Sequence, residues 1–145
     1  MNIPDLHRKA EDGSVVAQTV LGICYLDGVG VEVNYEEAFR LLSAAAHRRA
    51  PRAMANLARM YAQGLGQSQN LSEAMRLYRA AAEAGEFDAQ IQLARMYSQG
   101  IGVSPDPRAA HDWYSRAVAQ EESISECNEL QEAKNYLEER SEGKR

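Results

Sequence analysis

A period of 36 residues runs through most of this chain and limits the folds that it can adopt. Residues 57–66 and 93–102 differ at only two of ten positions. Seven sets of identical residues recur three times at this spacing, without an insertion. They are Ala17, Ala53 and Ala89; Leu21, Leu57 and Leu93; Tyr25, Tyr61 and Tyr97; Gly28, Gly64 and Gly100; Gly30, Gly66 and Gly102; Ala38, Ala74 and Ala110; and Ala45, Ala81 and Ala117. Such repetition is typical of a solenoid of stacked, similar units.

Each repeat is predicted to form two helices joined by a glycine turn. Ala53, Leu57 and Tyr61 are spaced by four residues and therefore share one face of a helix. That helix is expected to end at Gly64, because glycine readily adopts the left-handed conformation that closes a helix. The predicted N-caps of the second helices are Asn34, Asn70 and Asp106. Glu37 and Glu73 follow the first two of these caps by three residues, which is the pattern of a capping box.

The composition favours close-packed helices over a sheet. The chain has 23 alanines, against eight valines, five isoleucines and one threonine. A single helix pair cannot bury its own apolar face, whereas three stacked pairs can. We therefore predict one all-α domain, an α-solenoid coiled as a right-handed superhelix. Its expected parts are an N-terminal capping helix over 3–12, repeats over 13–48, 49–84 and 85–120, and a C-terminal capping helix with an acidic tail over 121–145.

Several classes of partner are not expected from the sequence. No stretch approaches the roughly 18 apolar residues of a membrane span, and the first residues lack the apolar segment of a signal peptide. The net charge of −5 gives no electrostatic reason to expect nucleic acid or an anionic membrane surface. We therefore expect neither a nucleic-acid partner nor a membrane partner.

The residues that could carry chemistry are few and scattered. His7, His47 and His111 fall at unrelated positions of the repeat and lack the spacing of metal ligands. Cys24 and Cys127 are three repeats apart, too far for a disulfide. The sequence therefore predicts a protein without catalytic activity, cofactor or metal. A metal-binding protein or an enzyme that uses His47, His111 or Cys24 is the rival hypothesis.

The repeat resembles a known family. The string Ala-x-x-x-Leu-(Gly/Ala)-x-x-Tyr-x-x-Gly-x-Gly, followed by Ala-x-x-x-(Leu/Tyr)-x-x-Ala-Ala, is similar to the Sel1-like repeat, a relative of the tetratricopeptide repeat. The resemblance covers roughly residues 13–121, and Arg49 departs from it at the position of Gly85. It implies an interaction scaffold that rarely catalyses a reaction. Some exported members staple each repeat with a cysteine pair, which this chain lacks, so we expect a cytoplasmic protein. A periplasmic protein whose signal peptide has been removed is the alternative.

The first helices of stacked pairs line the concave side, where partners usually lie. A helical projection places nine candidate partner-binding residues there: Val16, Val20, Ile23, Asn56, Arg59, Gln63, Gln92, Arg95 and Gln99. Arg59 and Arg95 are expected to form a basic stripe that prefers a peptide with acidic side chains. The valines and Ile23, with Leu26, are expected to form an apolar strip. That strip binds apolar side chains of the peptide or, alternatively, a second copy, so the chain is expected to be a monomer or a weak homodimer.

These observations predict a non-catalytic scaffold or adaptor that binds another protein or peptide in this groove. Within that class we favour a bacterial regulator. The alternatives are an immunity or antagonist protein and a secretion chaperone that binds a cognate effector.

Overall fold

The computed structural model describes residues 2–143, so Met1 and the last two residues of the expected acidic tail lie outside it. The described residues form helices and no strand. The α-helices are α1 (Ile3–Glu11), α2 (Val15–Asp27), α3 (Tyr35–His47), α4 (Pro51–Gln63), α5 (Leu71–Glu83), α6 (Phe87–Gln99), α7 (Pro107–Val118) and α8 (Asn128–Glu142). A short 3-10 helix, Glu121–Ser123, lies between α7 and α8. The prediction of an all-α solenoid is confirmed.

Glycine turns end the first helices as predicted. Gly28, Gly64 and Gly100 cap α2, α4 and α6 with φ angles of 73°, 66° and 69°, in the left-handed region. The second glycine of the turn also allows neighbouring repeats to approach closely. A Cβ atom on Gly66 would lie 2.7 Å from the Cβ of Tyr35, at the start of the preceding repeat's second helix. A side chain at this position would therefore separate the two repeats.

The caps of the second helices are confirmed, but the capping box is wrong. The side chain of Asn70 accepts a hydrogen bond from the backbone N–H of Glu73 at 3.0 Å, and Asn34 and Asp106 make equivalent bonds. The reciprocal bond is missing because the backbone N–H of Asn70 already donates to the carbonyl oxygen of Tyr61 at 2.9 Å. The carboxylate of Glu73 instead accepts from Arg76, one turn along the helix.

Helices adjacent in the chain pack against each other throughout the solenoid, and α2 also contacts α4. The central core contains both small and large side chains, among them Ala38, Leu42, Leu57 and Met60. Burying a leucine of this kind contributes about 1.5–3 kcal/mol. The hydroxyl of Tyr25 lies 2.7 Å from Nε2 of His7 on α1, and the hydroxyl of the equivalent Tyr97 accepts from Arg79 on α5. Each of these two tyrosines therefore ties a first helix to the helix that precedes it in the chain.

The C-terminal cap begins later than expected. The sequence predicts a capping helix with an acidic tail over 121–145, whereas Ile124 and Cys127 have extended backbone and α8 begins at Asn128. Residues 121–123 form a 3-10 turn in the segment that joins α7 to α8. Leu130 and Ala133 are the buried residues of α8, and Ala133 packs into a cluster with Ile91 and Tyr114. This helix therefore covers the end of the stack next to α6 and α7.

Candidate partner-binding surface

Four repeat positions on one side of the first helices are accessible to solvent in all three repeats. We name this surface the first-helix face. Its residues are Val16, Val20, Ile23 and Asp27 on α2, Arg52, Asn56, Arg59 and Gln63 on α4, and Asp88, Gln92, Arg95 and Gln99 on α6. The first and last of each set of four are exposed, whereas the middle two are half-buried. All nine residues of the predicted groove lie on this face.

The projection placed too many residues on the accessible side. Thr19, Ala55 and Ile91 occupy one repeat position and are only 6%, 7% and 0% exposed. Leu26, expected in the apolar strip, is 4% exposed and packs in the central core. The first helices bury these positions because each packs against the helices before and after it in the chain, and α2 also contacts α4. The apolar strip is therefore reduced to exposed Val16 and half-buried Val20 and Ile23.

Arg59 on α4 is paired within the chain. Its Nη2 donates to Oδ1 of Asp27 on α2 at 2.7 Å. The two side chains are 34% and 41% exposed, so the pair contributes about 0.2–1 kcal/mol to stability. The Nε atom of Arg59 is buried and donates to no acceptor among the described residues.

Arg95 on α6 is paired more completely. Its Nε lies 2.9 and 3.0 Å from the two carboxylate oxygens of Glu132 on α8, and its Nη2 also donates to that carboxylate. The hydroxyl of Tyr114 donates to the same carboxylate at 3.0 Å. The hydrogen bonds from Arg95, and secondarily that from Tyr114, lower the pKa of Glu132. The carboxylate that the Arg95 guanidinium binds is therefore a part of this chain.

The expected basic stripe is therefore wrong as a description of the surface. Both arginines are present on the face, but each has a carboxylate partner on a neighbouring first helix or on α8. Sequence reasoning missed Asp27 as a partner of Arg59, and it missed Glu132 altogether. The spacings of 32 and 37 residues differ from the repeat period, so self-alignment could not reveal the two pairs.

A recess of about 140 Å³ opens on the face between α4 and α6. Its lining consists of Ala55, Asn56, Arg59, Tyr78, Asp88, Ile91, Gln92 and Glu129. Most of these residues come from α4 and α6, whereas Tyr78 reaches it from α5 and Glu129 from α8. Drug-sized ligands and cofactors usually occupy about 300–1,000 Å³, so a recess of this size suits one side chain rather than a cofactor.

The residues considered for chemistry are dispersed in the structure. Burial raises the pKa of the Cys24 thiol, which disfavours the reactive thiolate. His7 contacts Tyr25, whereas His47 and His111 are exposed at the surface. Within residues 2–143, no group of three or more histidines, cysteines or carboxylates lies close enough to hold a metal ion. None of the helices in this range combines the length and apolar character that crossing a bilayer requires.

Three segments of the chain, 15–48, 51–86 and 87–121, match the Sel1 repeat. The chain belongs to the Sel1 repeat family. Sel1 repeat proteins generally serve as scaffolds for protein–protein interaction and are typically not enzymes. The resemblance predicted from the repeated string is thereby confirmed.

Solved Sel1 repeat structures share this fold. A Sel1 repeat protein from Oxalobacter formigenes is 41% identical, with 93% of this chain and 96% of that chain covered and a TM-score of 0.76. A protective antigen of uropathogenic Escherichia coli strains that displays an SLR fold is 25% identical, also with a TM-score of 0.76. That match covers 92% of this chain but 32% of the antigen, so this Sel1 repeat chain spans about a third of it. No curated protein gives a significant match.

Proposed function

We propose that this chain is a non-catalytic adaptor that binds a peptide segment of a partner protein along the first-helix face. The observation that carries this proposal is the line of glutamine amides on α4 and α6. Gln63, Gln92 and Gln99 make no hydrogen bond to another side chain or backbone group of the described residues. A primary amide both donates and accepts, so such groups can bond the main chain of an extended peptide.

The preference for acidic partners is not part of this proposal. It depended on two arginines with unused charge, and both guanidinium groups are paired with carboxylates of this chain. Two other carboxylates, those of Asp88 and Glu129, line the recess on the same face. The charge on the face therefore gives no reason to favour an acidic peptide.

A selection experiment tests the proposal directly. A library of displayed random peptides is panned on the purified chain, and the affinities of selected peptides are measured by calorimetry. We expect Gln63→Trp and Gln99→Trp to weaken binding at least about tenfold, because the indole covers the adjoining face. Both residues are exposed, so thermal melting should show that these variants remain folded.

The matched control is Ser72→Trp, at an exposed position on the second helix α5. It should leave the affinities unchanged. If Ser72→Trp abolishes binding while both first-helix variants retain it, the binding face is on the second helices and the proposal fails. A regulator or an immunity protein would select one tight consensus, whereas a chaperone would select many weak and dissimilar peptides.

A further inference from the structure

The recess between α4 and α6 carries carboxylates that the fold does not neutralise. Asp88 is exposed and Glu129 is half-buried, and neither forms an ion pair with another residue in the described part of the chain. The negative charge of Asp88 affects its surroundings, because it helps burial to raise the pKa of the nearby Glu86. The recess thus contains two carboxylates without a basic partner.

The positive charge at the recess is compensated. Arg59 is the basic residue of the lining, and its guanidinium is 2.7 Å from the carboxylate of Asp27. Glu129 also lies within electrostatic range of Arg95, but that guanidinium binds the carboxylate of Glu132. With each arginine matched to one acid, Asp88 and Glu129 leave the lining with an excess of negative charge.

Tyr78 provides a second and independent sign of a binding site. The residue is only 6% exposed, it lines the recess, and its hydroxyl has no hydrogen-bond partner among the described residues. Burial raises the pKa of this hydroxyl to about 12, so the group is neutral at physiological pH. Tyr78 shares the lining of the recess with Arg59 and Asp88, two residues of the first-helix face. The hydroxyl oxygen itself is open to solvent in the recess, where a ligand can reach it and complete its hydrogen bonding.

The equivalent tyrosine one repeat later is satisfied. Tyr114 follows Tyr78 by 36 residues, and its hydroxyl donates to Glu132. Next to Tyr78 of the second repeat, the following helix α6 brings Asp88 and Gln92 to the recess, but neither bonds the Tyr78 hydroxyl. The same repeat position is therefore closed by the chain itself in the third repeat and left open to a partner in the second.

We propose that this recess is a subsite for one basic side chain, a lysine or an arginine, of the partner peptide. The carboxylates of Asp88 and Glu129 accept hydrogen bonds from the cation, and the Tyr78 hydroxyl offers a further oxygen acceptor. Ala55 and Ile91 provide the apolar contact for the methylene stem. The proposal rests on the proposed function, because it names the side chain that the first-helix face selects.

Small probes test the subsite without an identified partner. Nα-acetyl-lysine amide is titrated into the isotopically labelled chain, and side-chain and backbone resonances of Asn56, Asp88 and Gln92 are followed by NMR. We expect saturable shifts that weaken as salt is added. The diacetylated probe, which has the same stem without the charge, should bind at least about fivefold more weakly. Nα-acetyl-glutamate amide serves as the probe for an acidic occupant, which would use the Nε–H of Arg59 and the Tyr78 hydroxyl.

Substitutions separate the subsite from a general effect of charge. Asp88→Asn combined with Glu129→Gln should weaken binding of the lysine probe about tenfold. The control, Glu36→Gln with Glu83→Gln, removes two exposed charges from the second helices and should change it less than twofold. Equal weakening by both double variants, tighter binding of the glutamate probe, or no saturable shift at the recess would each overturn the proposal.

The tyrosine pair gives a further comparison. Tyr78→Phe should weaken binding of the lysine probe about threefold and leave the melting temperature unchanged or higher. Tyr114→Phe should lower the melting temperature instead, since its hydroxyl bonds Glu132. If the peptides selected on the first-helix face lack lysine and arginine, only the subsite is wrong. If no peptide binds that face, the proposed function fails as well.

Discussion

At the scale of single residues, Arg49 stands where the neighbouring repeats have glycine. Its φ angle is 61°, and no other non-glycine residue within 2–143 has a positive φ angle. The residues 36 positions before and after it are Gly13 and Gly85, with φ angles of 92° and 94°. A left-handed conformation costs a residue with a Cβ about 1–2 kcal/mol. The backbone turn between repeats is therefore kept here despite an unfavourable residue.

Replacing Arg49 by glycine should stabilise the protein. The relief of the left-handed conformation exceeds the extra entropy of glycine in the unfolded chain, so we expect the free energy of unfolding to rise by about 0.5–1 kcal/mol. Urea denaturation followed by circular dichroism measures it. The matched variant is Gly85→Ala, which introduces the same strain one repeat later and should cost about 1–2 kcal/mol. A destabilised Arg49→Gly variant would show that the arginine side chain makes a larger contribution than the strain.

At the scale of elements, α8 depends on a polar tie to the last repeat. Only Leu130 and Ala133 of this helix are buried, whereas α4 buries six residues. The carboxylate of Glu132 on this helix accepts hydrogen bonds from two nitrogens of Arg95 and from the Tyr114 hydroxyl. The side chains of Arg95 and Glu132 are 29% and 33% exposed. Charge-assisted bonds of this geometry are stronger than bonds between neutral groups. The tie therefore compensates for the small apolar area of α8.

Glu132→Gln should loosen α8 while the rest of the solenoid stays folded. We expect a loss of about 1–2 kcal/mol in stability, after allowance for the exposure of the pair. Amide exchange should accelerate most over residues 128–142. Glu73→Gln is the control, since it breaks an ion pair within one helix and should cost at most about 0.5 kcal/mol. Equal exchange of α8 in the two variants would contradict this account.

The same pair predicts a dependence on pH. Arg95 holds the pKa of Glu132 below its ordinary value of 4.5 in the folded protein. Its contribution is therefore complete above that ordinary value, and it is lost as the pH falls through the lower folded pKa. The stability difference between the wild type and Glu132→Gln should be constant near neutral pH and shrink below about pH 4.5. Denaturation at a series of pH values checks this, and a difference that grows on acidification would contradict it.

At the scale of the whole molecule, stability should be uneven along the stack. Each repeat contacts its neighbours, so the terminal helices have packing on one side only. Hydrogen exchange should therefore be fastest in α1 and α8 and slowest in α4 and α5. The buried residues support this order, because α1 buries only Ala10. Uniform exchange across all helices would mean that the solenoid opens as one unit.

Much of this architecture could be predicted because the residues that begin and end the helices recur at the same positions in three repeats. Gly64 and Asn70 end and begin helices through interactions with residues a few positions away, and such interactions are visible in sequence. The charge of the binding face could not be predicted in this way. Arg59 meets Asp27 across two first helices, and Arg95 meets Glu132 on a helix that the repeat does not describe. Ion pairs between different helices thus determine the charge of the first-helix face.

We propose that the first-helix face, and not the face of the second helices, binds the partner. The most direct measurement is NMR mapping of a selected peptide on the labelled chain. We predict that the largest shifts fall on the accessible positions of α4 and α6, including Gln63, Gln92 and Gln99, with little change on the exposed positions of α3, α5 and α7. Shifts concentrated on the second helices, with the first-helix face unchanged, would contradict the account.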